Sequence, residues 1–253
     1  MSKTTAFYRA PRYLFRKYNI LSILKEHDDI KTFADIGCGA GELACTLAQI
    51  GYKGKGIDFS KDALIVANDI KTKRKLDDNK LTFVPGGLEK LKASTNDVVI
   101  CCEVIEHIED DQDFLKKLRK TNPKYTLFSV PAKQKWFDNF DRKVGHYRRY
   151  EKQTFTNLLD ESGFEVINFI SYGYPFINLT RLVRKIMIGR VKAQNSMKKS
   201  TQASGINPIK SQLLTKISID RLIYILYLIS KPFNSYDLSE GYLVLCKLKS
   251  KNN

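Results

Sequence analysis

The chain has 253 residues, of which 43% are hydrophobic and 28% charged, and its formal net charge is +16. This composition predicts a soluble globular protein with one large core and room for an inserted subdomain. Residues 1–18 are polar and basic, and the longest apolar run, residues 222–229, has only 8 residues. We therefore expect neither a signal peptide nor a membrane-spanning helix.

Charge and cysteine usage bear on partners and location. Residues 176–253 hold 14 Lys and Arg against 3 Asp and Glu, whereas residues 1–175 hold 29 against 24. A basic region of this kind indicates anionic partners such as lipid or nucleic acid. The 5 cysteines contain no C-x-x-C pair, so we expect reduced thiols, with neither a disulfide nor zinc. The predicted location is the cytoplasm, with a peripheral position on the inner face of the membrane as a refinement.

The predicted elements alternate between strand and helix. Residues 7–25 carry an aromatic, amphipathic pattern that predicts one or two helices over the mouth of a pocket. The alternation beyond them predicts an α/β fold with a doubly wound, mostly parallel sheet. Strands are predicted at 33–36, 53–58, 81–84, 97–102, 125–130, 164–169 and 241–247, and helices at 42–50, 62–76, 113–120 and 152–162.

The alternation is interrupted between the sixth and the last predicted strand. A basic helical pattern at 179–192 is followed by a polar link at 194–211 and an apolar helical pattern at 213–229. This insertion is interpreted either as a lid packed on its own core or as a patch for a membrane surface. The predicted division is a helical cap (1–30), a core (31–175), a helical insertion (176–239) and a final core strand with a tail (240–253).

A glycine-rich turn follows the first predicted strand. The segment Asp35–Gly41 places three alternating glycines before a helical pattern that starts at Glu42. Glycine permits positive φ and a close approach of the backbone to a ligand, and the helix start offers unpaired N–H groups. Asp58 ends the second strand, 17 residues after Gly41, where a carboxylate can accept the hydroxyls of a ribose. The pattern predicts a nucleotide-type cofactor site.

The spacing of these glycines resembles the first motif of the class I S-adenosylmethionine (SAM)-dependent methyltransferases, Asp/Glu-x-Gly-x-Gly-x-Gly, and not the G-x-G-x-x-G of dinucleotide sites. The resemblance implies SAM as cofactor and a seven-stranded Rossmann-like sheet whose last strand is antiparallel and lies beside the fifth. Gly87 departs from the family, which usually has Asp or Asn near the adenine, so the backbone at Gly87 and Leu88 is expected to serve instead. The implied cofactor-binding residues are Asp35, Gly37, Cys38, Gly39, Gly41, Asp58, Phe59, Gly87, Leu88 and Glu103.

Two carboxylates and an imidazole follow the fourth predicted strand. Glu103, Glu106 and His107 would share one face if the chain turned helical there, forming a mixed oxygen and nitrogen site suited to Mg²⁺. The segment resembles that of ubiquinone-biosynthesis-type O-methyltransferases and of small-RNA 3′-terminal 2′-O-methyltransferases, which implies a divalent ion. The alternative is a metal-free site in which His107 packs under the cofactor or faces the substrate.

A second group of polar residues lies after the fifth predicted strand, in Asp141–Tyr150. His146 is predicted to be a general base or a further metal ligand; its alternative is a structural histidine that caps a helix. Arg148 and Arg149 are predicted to pair with a carboxylate or phosphate of the substrate, or to be solvated. The run Gly-His-Tyr-Arg-Arg-Tyr resembles bacterial small-molecule methyltransferases associated with cell-surface glycan, lipid or natural-product pathways.

Together these residues predict a methyltransferase that acts on an oxygen or nitrogen atom of a small-molecule, amphiphilic or lipid-linked acceptor. His146, His107 and Glu106 are its predicted catalytic residues. One alternative is an RNA terminal 2′-O-methyltransferase that uses a divalent metal, although the sequence shows no recognised RNA-binding module. Another is a SAM-binding subunit without activity. An anionic membrane surface is a further predicted partner, RNA is a less favoured one, and the oligomeric state is left open.

Overall fold

The computed structural model describes residues 10–93, 95–181 and 216–250, with side chains from residue 220 onward in the last range. Strand and helix alternate as predicted, with small shifts at the ends of elements and one additional short helix, Asn139–Val144, in a segment expected to be a loop. The strands are β1 (Thr32–Ile36), β2 (Lys53–Asp58), β3 (Leu81–Pro85), β4 (Val98–Cys102), β5 (Tyr125–Pro131), β6 (Phe164–Tyr172) and β7 (Gly241–Leu248). The helices are α1 (Pro11–Lys25), α2 (Glu42–Gln49), α3 (Lys61–Lys73), α4 (Asp111–Lys120), α5 (Asn139–Val144), α6 (Lys152–Glu161) and α7 (Lys216–Ser230).

All seven strands form one sheet in the order β3-β2-β1-β4-β5-β7-β6. The first five strands pair in parallel, and β7 is antiparallel to both β5 and β6. The predicted seven-stranded, doubly wound sheet with an antiparallel last strand beside the fifth is therefore confirmed. Ile36 pairs with Ile57 on one side and with Cys101 on the other. The carboxyl ends of β1, β2 and β4 consequently meet at one edge, where ligands of open α/β sheets bind.

Both faces of the sheet are covered. Phe33 of β1 packs into a hydrophobic cluster with residues of α1, α2 and α7, whereas Ala34 packs into a second cluster with residues of α4 and α6. Strands buried on both faces need apolar side chains at successive positions and not an alternating pattern. This explains why β4, with the sequence Val-Val-Ile-Cys-Cys, is apolar throughout.

Helix α1 covers the edge of the sheet at which the parallel strands end. It begins at Pro11, whose fixed φ suits the first turn of a helix, and buries Leu14, Phe15 and other apolar residues of one face. The predicted segment 7–25 thus contains one helix within the described residues; residues 7–9 lie outside them. On its other side, α1 contacts α7, where the Tyr18 ring lies 5.1 Å from that of Tyr224.

The chain does not become helical directly after β4. Glu103 has a φ of +57°, and a single 3₁₀ turn covers Ile105–His107. Glu103 therefore does not share a helical face with Glu106 and His107, and this part of the sequence-based expectation is corrected.

Of the predicted insertion, the structure describes only the two ends. A helical stretch at 176–181 leads into residues 182–215, which lie outside the described ranges with most of the basic pattern and the whole polar link. The apolar helix predicted at 213–229 is observed as α7 from Lys216 onward. Within the described ranges, no helix combines the length and the apolar character needed to cross a bilayer.

Candidate active site

The glycine turn after β1 has the positive φ angles that its glycines permit. Gly37, Gly39 and Gly41 have φ values of +68°, +53° and +68°, a region that L side chains rarely adopt. A Cβ on Gly41 would meet Phe83 and would lie 2.8 Å from the Cβ of Ala67, so packing excludes a side chain there as well. Gly41 caps α2, and the turn brings the N-terminus of that helix to the edge of the sheet.

Asp58 holds the turn from the end of β2. Its Oδ2 accepts a hydrogen bond from the Gly39 N–H at 2.7 Å, and its Oδ1 accepts one from Ser60 N–H at 2.8 Å. The carboxylate predicted to meet a ribose therefore lies directly against the glycine turn. Each oxygen has a second lone pair with which it can accept a hydroxyl.

An exposed aromatic ring marks the far end of the same pocket. The Phe59 side chain is 80% exposed, and a Cβ on Gly87 would lie 2.5 Å from its Cζ. Gly87 donates its N–H to Glu89 Oε1, and Leu88 opens a 3₁₀ turn. Phe59, Gly87 and Leu88, all predicted as cofactor-binding residues, thus lie together beside the carboxyl ends of β2 and β3.

Two other predicted residues are in the floor of the pocket. Asp35 is 2% exposed, and burial raises its pKa to about 7, with Asp58 adding to the shift and Arg16 opposing it. Cys38 donates its backbone N–H to Ile57 O, and burial raises the pKa of its thiol. A protonated thiol is a poor nucleophile, which makes Cys38 a packing residue of the turn.

Glu103 joins α1 to the sheet. Its carboxylate lies 3.0 Å from Arg12 Nη2 and 3.2 Å from Arg16 Nη1, and it accepts a hydrogen bond from Ser129 Oγ at 2.9 Å. Burial opposes ionisation, but the two arginines outweigh it and lower the pKa of Glu103. Arg12 Nε is buried without a hydrogen-bond partner in the described part of the chain. The site therefore carries two guanidinium groups against one carboxylate, an arrangement open to a further anionic group.

A buried carboxylate and two imidazoles form the second half of the site, here called the histidine cluster (Glu106, His107 and His146). Their candidate ligand atoms all lie within 4.8 Å of one another, and within the described ranges this is the one such group found. Glu106 is fully buried, and neither of its carboxylate oxygens has a hydrogen-bond partner among the described residues. Burial, followed by the negative charge of Glu103, raises the pKa of Glu106 well above its usual value.

Hydrogen bonds fix the orientation of both imidazoles. His107 Nδ1 lies 3.2 Å from Gly145 O, and His146 Nδ1 lies 2.9 Å from Asp141 Oδ1. Since a carbonyl and a carboxylate can only accept, each Nδ1 carries the proton and each Nε2 keeps a lone pair in the neutral ring. Burial and the neighbouring His146 lower the pKa of His107 to about 4, so this ring is neutral near pH 7.

Asp141 is the residue on which this orientation depends. It is fully buried: Oδ1 binds His146, and Oδ2 accepts from Arg149 Nε and from the Asp138 N–H, both at 2.9 Å. Burial raises its pKa, but His146 and Arg149 outweigh burial and lower it. In the sequence, Asp141 stands out only as the first residue of the segment Asp141–Tyr150. The one available signal is Asp138-x-x-Asp141, a capping box at the start of α5, which does not reveal a contact with His146.

The two arginines predicted to meet a substrate are engaged within the protein. Arg149 is 3% exposed and pairs with Asp141, and Arg148 Nη1 lies 2.6 Å from Asp111 Oδ2. Arg148 also donates to Glu109 O. These contacts hold the 145–150 segment over the 3₁₀ turn, so Arg148 and Arg149 are corrected from substrate-binding to structural residues. The arginines with unsatisfied capacity in the pocket are on α1, which the sequence analysis treated only as a cap.

Comparison with known proteins identifies relatives of part of this chain. Residues 34–122 match the family described as "Methyltransferase domain". The chain is 36% identical over 104 residues to the mitochondrial ubiquinone biosynthesis O-methyltransferase of Schizosaccharomyces pombe, a match that covers 40% of this chain and 38% of that protein. It is 34% identical over 105 residues to the Rickettsia canadensis enzyme of the same name, covering 40% and 43%. The chain thus spans about two fifths of the curated relatives it matches.

Solved structures show the same fold at low sequence identity. The methyltransferase domain of bacterial CtHen1 superposes with a TM-score of 0.56 at 19% identity, covering 92% of this chain and 98% of that one. Magnesium protoporphyrin IX methyltransferase from Synechocystis, solved with bound S-adenosylhomocysteine (SAH), gives 0.53 at 20% identity, covering 65% and 80%.

Residues 34–122 thus match a methyltransferase domain, and the sheet order and the glycine turn with Asp58 agree with the class I SAM-dependent methyltransferase fold that the sequence resemblance implied. The chain's sequence similarity is to the enzymes of ubiquinone-biosynthesis type.

Proposed function

We propose that this methyltransferase transfers the SAM methyl group to a hydroxyl oxygen of a small, lipophilic acceptor. The observation that carries the proposal is the histidine cluster, in which two half-buried imidazoles have ring nitrogens within 4.8 Å of a buried carboxylate that has no hydrogen-bond partner among the described residues. Such groups can take a proton from a hydroxyl or bind an ion that acidifies it. The curated relatives are O-methyltransferases of ubiquinone biosynthesis, which supports oxygen as the acceptor atom over nitrogen and a lipophilic substrate.

The cofactor side of the pocket consists of the glycine turn, Asp58, Phe59 and α1. Asp58 would accept the ribose hydroxyls, and the exposed Phe59 ring would lie against the adenine. Arg12 and Arg16, with their surplus positive charge, would face the carboxylate of the methionine moiety. When bound, SAM supplies a methyl group on a positively charged sulfur that is displaced in line.

The protein's part in the reaction is to orient the acceptor and to hold its proton. His146 Nε2 is the candidate general base, because Asp141 fixes the proton on Nδ1 and stabilises the imidazolium that forms. Glu106 Oε1 lies 3.9 Å from this Nε2 and, as a carboxyl group with a raised pKa, could donate a hydrogen bond to the acceptor oxygen. Glu106 is fully buried, and such low-dielectric surroundings strengthen hydrogen bonds to the acceptor oxygen.

The same cluster fits a divalent ion. Glu106 offers unpaired carboxylate oxygens, and the Nδ1 hydrogen bonds of His107 and His146 are those that orient histidine ligands at metal sites. Two imidazoles and one carboxylate suit Zn²⁺ or a similar transition ion better than the predicted Mg²⁺. The expectation of no zinc rested on the cysteines alone. Glu103, the third predicted ligand, is bound by α1 instead. The ion would lower the pKa of the acceptor hydroxyl.

Calorimetry with SAH tests the cofactor site. Wild-type protein should bind SAH, and Asp58→Ala should weaken binding about tenfold to a hundredfold through the loss of charge-assisted hydrogen bonds. Asp62→Ala, which removes an exposed carboxylate of α3, is the matched control and should bind as wild type. Failure of the wild type to bind SAH would contradict the proposal that this pocket binds SAM.

Transfer to 1,2-dihydroxybenzene, a probe with acidic adjacent hydroxyls, tests the acceptor side. His146→Gln should bind SAH normally and lose transfer about a hundredfold or more. Dialysis against a chelator, followed by Zn²⁺ or Mg²⁺, separates the two roles: restoration by an ion supports the metal site, and unchanged activity supports the base. Methylation of an oligoribonucleotide, with no transfer to the small probe, would favour the RNA alternative.

A further inference from the structure

The outward face of α7 is apolar but exposed. Its exposed apolar residues, here called the α7 patch, are each between 46% and 55% exposed: Leu222, Tyr224, Ile225, Leu228 and Ile229. The opposite face packs inward through Ile223, Tyr227 and Ser230, spaced as one side of a helix. Helix α7 is therefore apolar on both its inner and its outer side. A helix with this character is normally covered on both sides.

The patch continues beyond the end of the helix. Phe233, Tyr236 and Leu238 are 37%, 60% and 42% exposed. Scattered exposed apolar residues are ordinary, but a contiguous exposed apolar patch indicates a site that binds a partner protein, a ligand or a membrane.

The charges around the patch indicate which kind of partner it binds. Arg221 and Lys231, at either end of the patch, are exposed. Residues 220–250 contain three acidic residues: Asp220 is half-buried beside Arg221, Asp237 is paired with Lys133, and the Glu240 side chain is 1% exposed. The sequence from 176 to 253 holds 14 basic against 3 acidic residues. Aliphatic and aromatic side chains framed by cations are the combination by which amphipathic helices bind anionic lipid surfaces.

The position of the patch connects it with the site. Helix α1 lies between the two: Tyr18 contacts Tyr224 and Tyr227 of α7, with ring centroids 5.1 and 5.3 Å apart. From another side of α1, Arg12 and Arg16 reach Glu103 in the cofactor pocket. A lipid surface that bound α7 would therefore be separated from the cofactor pocket by α1.

We propose that the α7 patch docks the enzyme on an anionic lipid surface, from which a lipophilic acceptor reaches the site. Docking is supported by the exposed apolar face of α7 and the charges around it. Only the delivery of a lipophilic acceptor from this surface rests on the proposed function.

Vesicle flotation tests the docking without any methyl transfer. The wild-type protein should float with vesicles of phosphatidylcholine mixed with phosphatidylglycerol, should float poorly with phosphatidylcholine alone, and should be released by high salt. The triple variant Leu222→Gln, Ile225→Gln, Ile229→Gln should bind at least about tenfold more weakly because it removes apolar contact area. These side chains are exposed, so its thermal unfolding should match that of the wild type.

Controls keep the test specific. The variant Ile65→Gln, Ile167→Gln changes two apolar residues, 68% and 42% exposed, on α3 and β6 and should float as wild type. Arg221→Glu with Lys231→Glu keeps the patch and should lose the preference for anionic vesicles. Three outcomes would overturn the proposal: no flotation of the wild type, equal flotation of the triple variant, or a dimer in light scattering that the triple variant abolishes without vesicle binding. SAH calorimetry on the same samples shows separately whether the cofactor site is intact.

Discussion

The two sides of the pocket are built in different ways. The cofactor side (residues 35–41, 58–59 and 86–88) is shaped by backbone conformation: glycines at positive φ, and a carboxylate that accepts from backbone N–H groups. The acceptor side (residues 106–107 and 141–149) is shaped by buried charged side chains that bind one another. The first arrangement leaves hydrogen-bonding capacity of Asp58 open to a ligand. The second satisfies Asp141 and fixes the orientation of His146.

The two sides also differ in how burial changes their charge. On the cofactor side, Asp35 has no cationic partner strong enough to overcome burial, and its pKa rises to about 7. On the acceptor side, Asp141 is also inaccessible to solvent, but its contacts with His146 and Arg149 lower its pKa and keep it ionised. Neighbouring cations therefore contribute to the difference in charge state between these two aspartates.

The largest effect is expected from Asp141→Ala. The substitution leaves the buried Arg149 without its carboxylate partner. It also removes the hydrogen bond that holds the proton on His146 Nδ1. The free energy of unfolding should fall by about 3–5 kcal/mol, and methyl transfer should fall at least about a hundredfold. Denaturant unfolding and the dihydroxybenzene assay measure the two effects.

Asp138→Ala provides the control for this substitution. It removes the hydrogen bonds to Phe140 N–H and Asp141 N–H but does not touch His146. It should cost about 1 kcal/mol as a lost helix cap and keep transfer close to wild type. Equal losses of transfer in both variants would mean that the Asp141 contact matters only for folding.

The second effect is a pH dependence on the cofactor side. Since burial raises the pKa of Asp35, the folded state holds a proton between about pH 4, the usual value for aspartate, and about pH 7, which the unfolded state has released. The contribution of this carboxyl to stability is therefore present at low pH and is lost as pH rises through about 7. Asp35→Asn, which stays neutral, should gain about 2–4 kcal/mol relative to wild type between pH 4 and pH 9.

Denaturant unfolding of both proteins across this range measures the difference. Asp62→Asn, at an exposed position, should show no such trend. A constant difference between Asp35→Asn and wild type at every pH would show that Asp35 is ionised in the fold.

The smallest effect is expected from Phe59→Ala. The ring is 80% exposed, so the free energy of unfolding should change by less than about 0.5 kcal/mol. The affinity for SAH should nevertheless fall about fivefold, because an aromatic ring that stacks on a base contributes about 1 kcal/mol or more. Ile50→Ala removes another exposed apolar side chain, 56% exposed at the end of α2, and should leave SAH binding unchanged. Unchanged affinity in Phe59→Ala would remove the ring from the adenine site.

By itself, the sequence predicted most of the strands and helices, the mostly parallel, doubly wound sheet, and the glycine turn with Asp58. Gly37–Gly41 and Asp58 can be predicted from local patterns because each follows or ends a predicted strand. In a parallel sheet the carboxyl ends of neighbouring strands lie at one edge, so these groups come together there. Only the tertiary structure decided the acceptor side and the contacts of α1. Arg12 reaches Glu103 from a helix that precedes the matched residues 34–122, and Asp141 Oδ1 binds His146 Nδ1. Such pairs depend on how helices pack and on the need to satisfy each buried charge, and neither leaves a periodic signal in the chain.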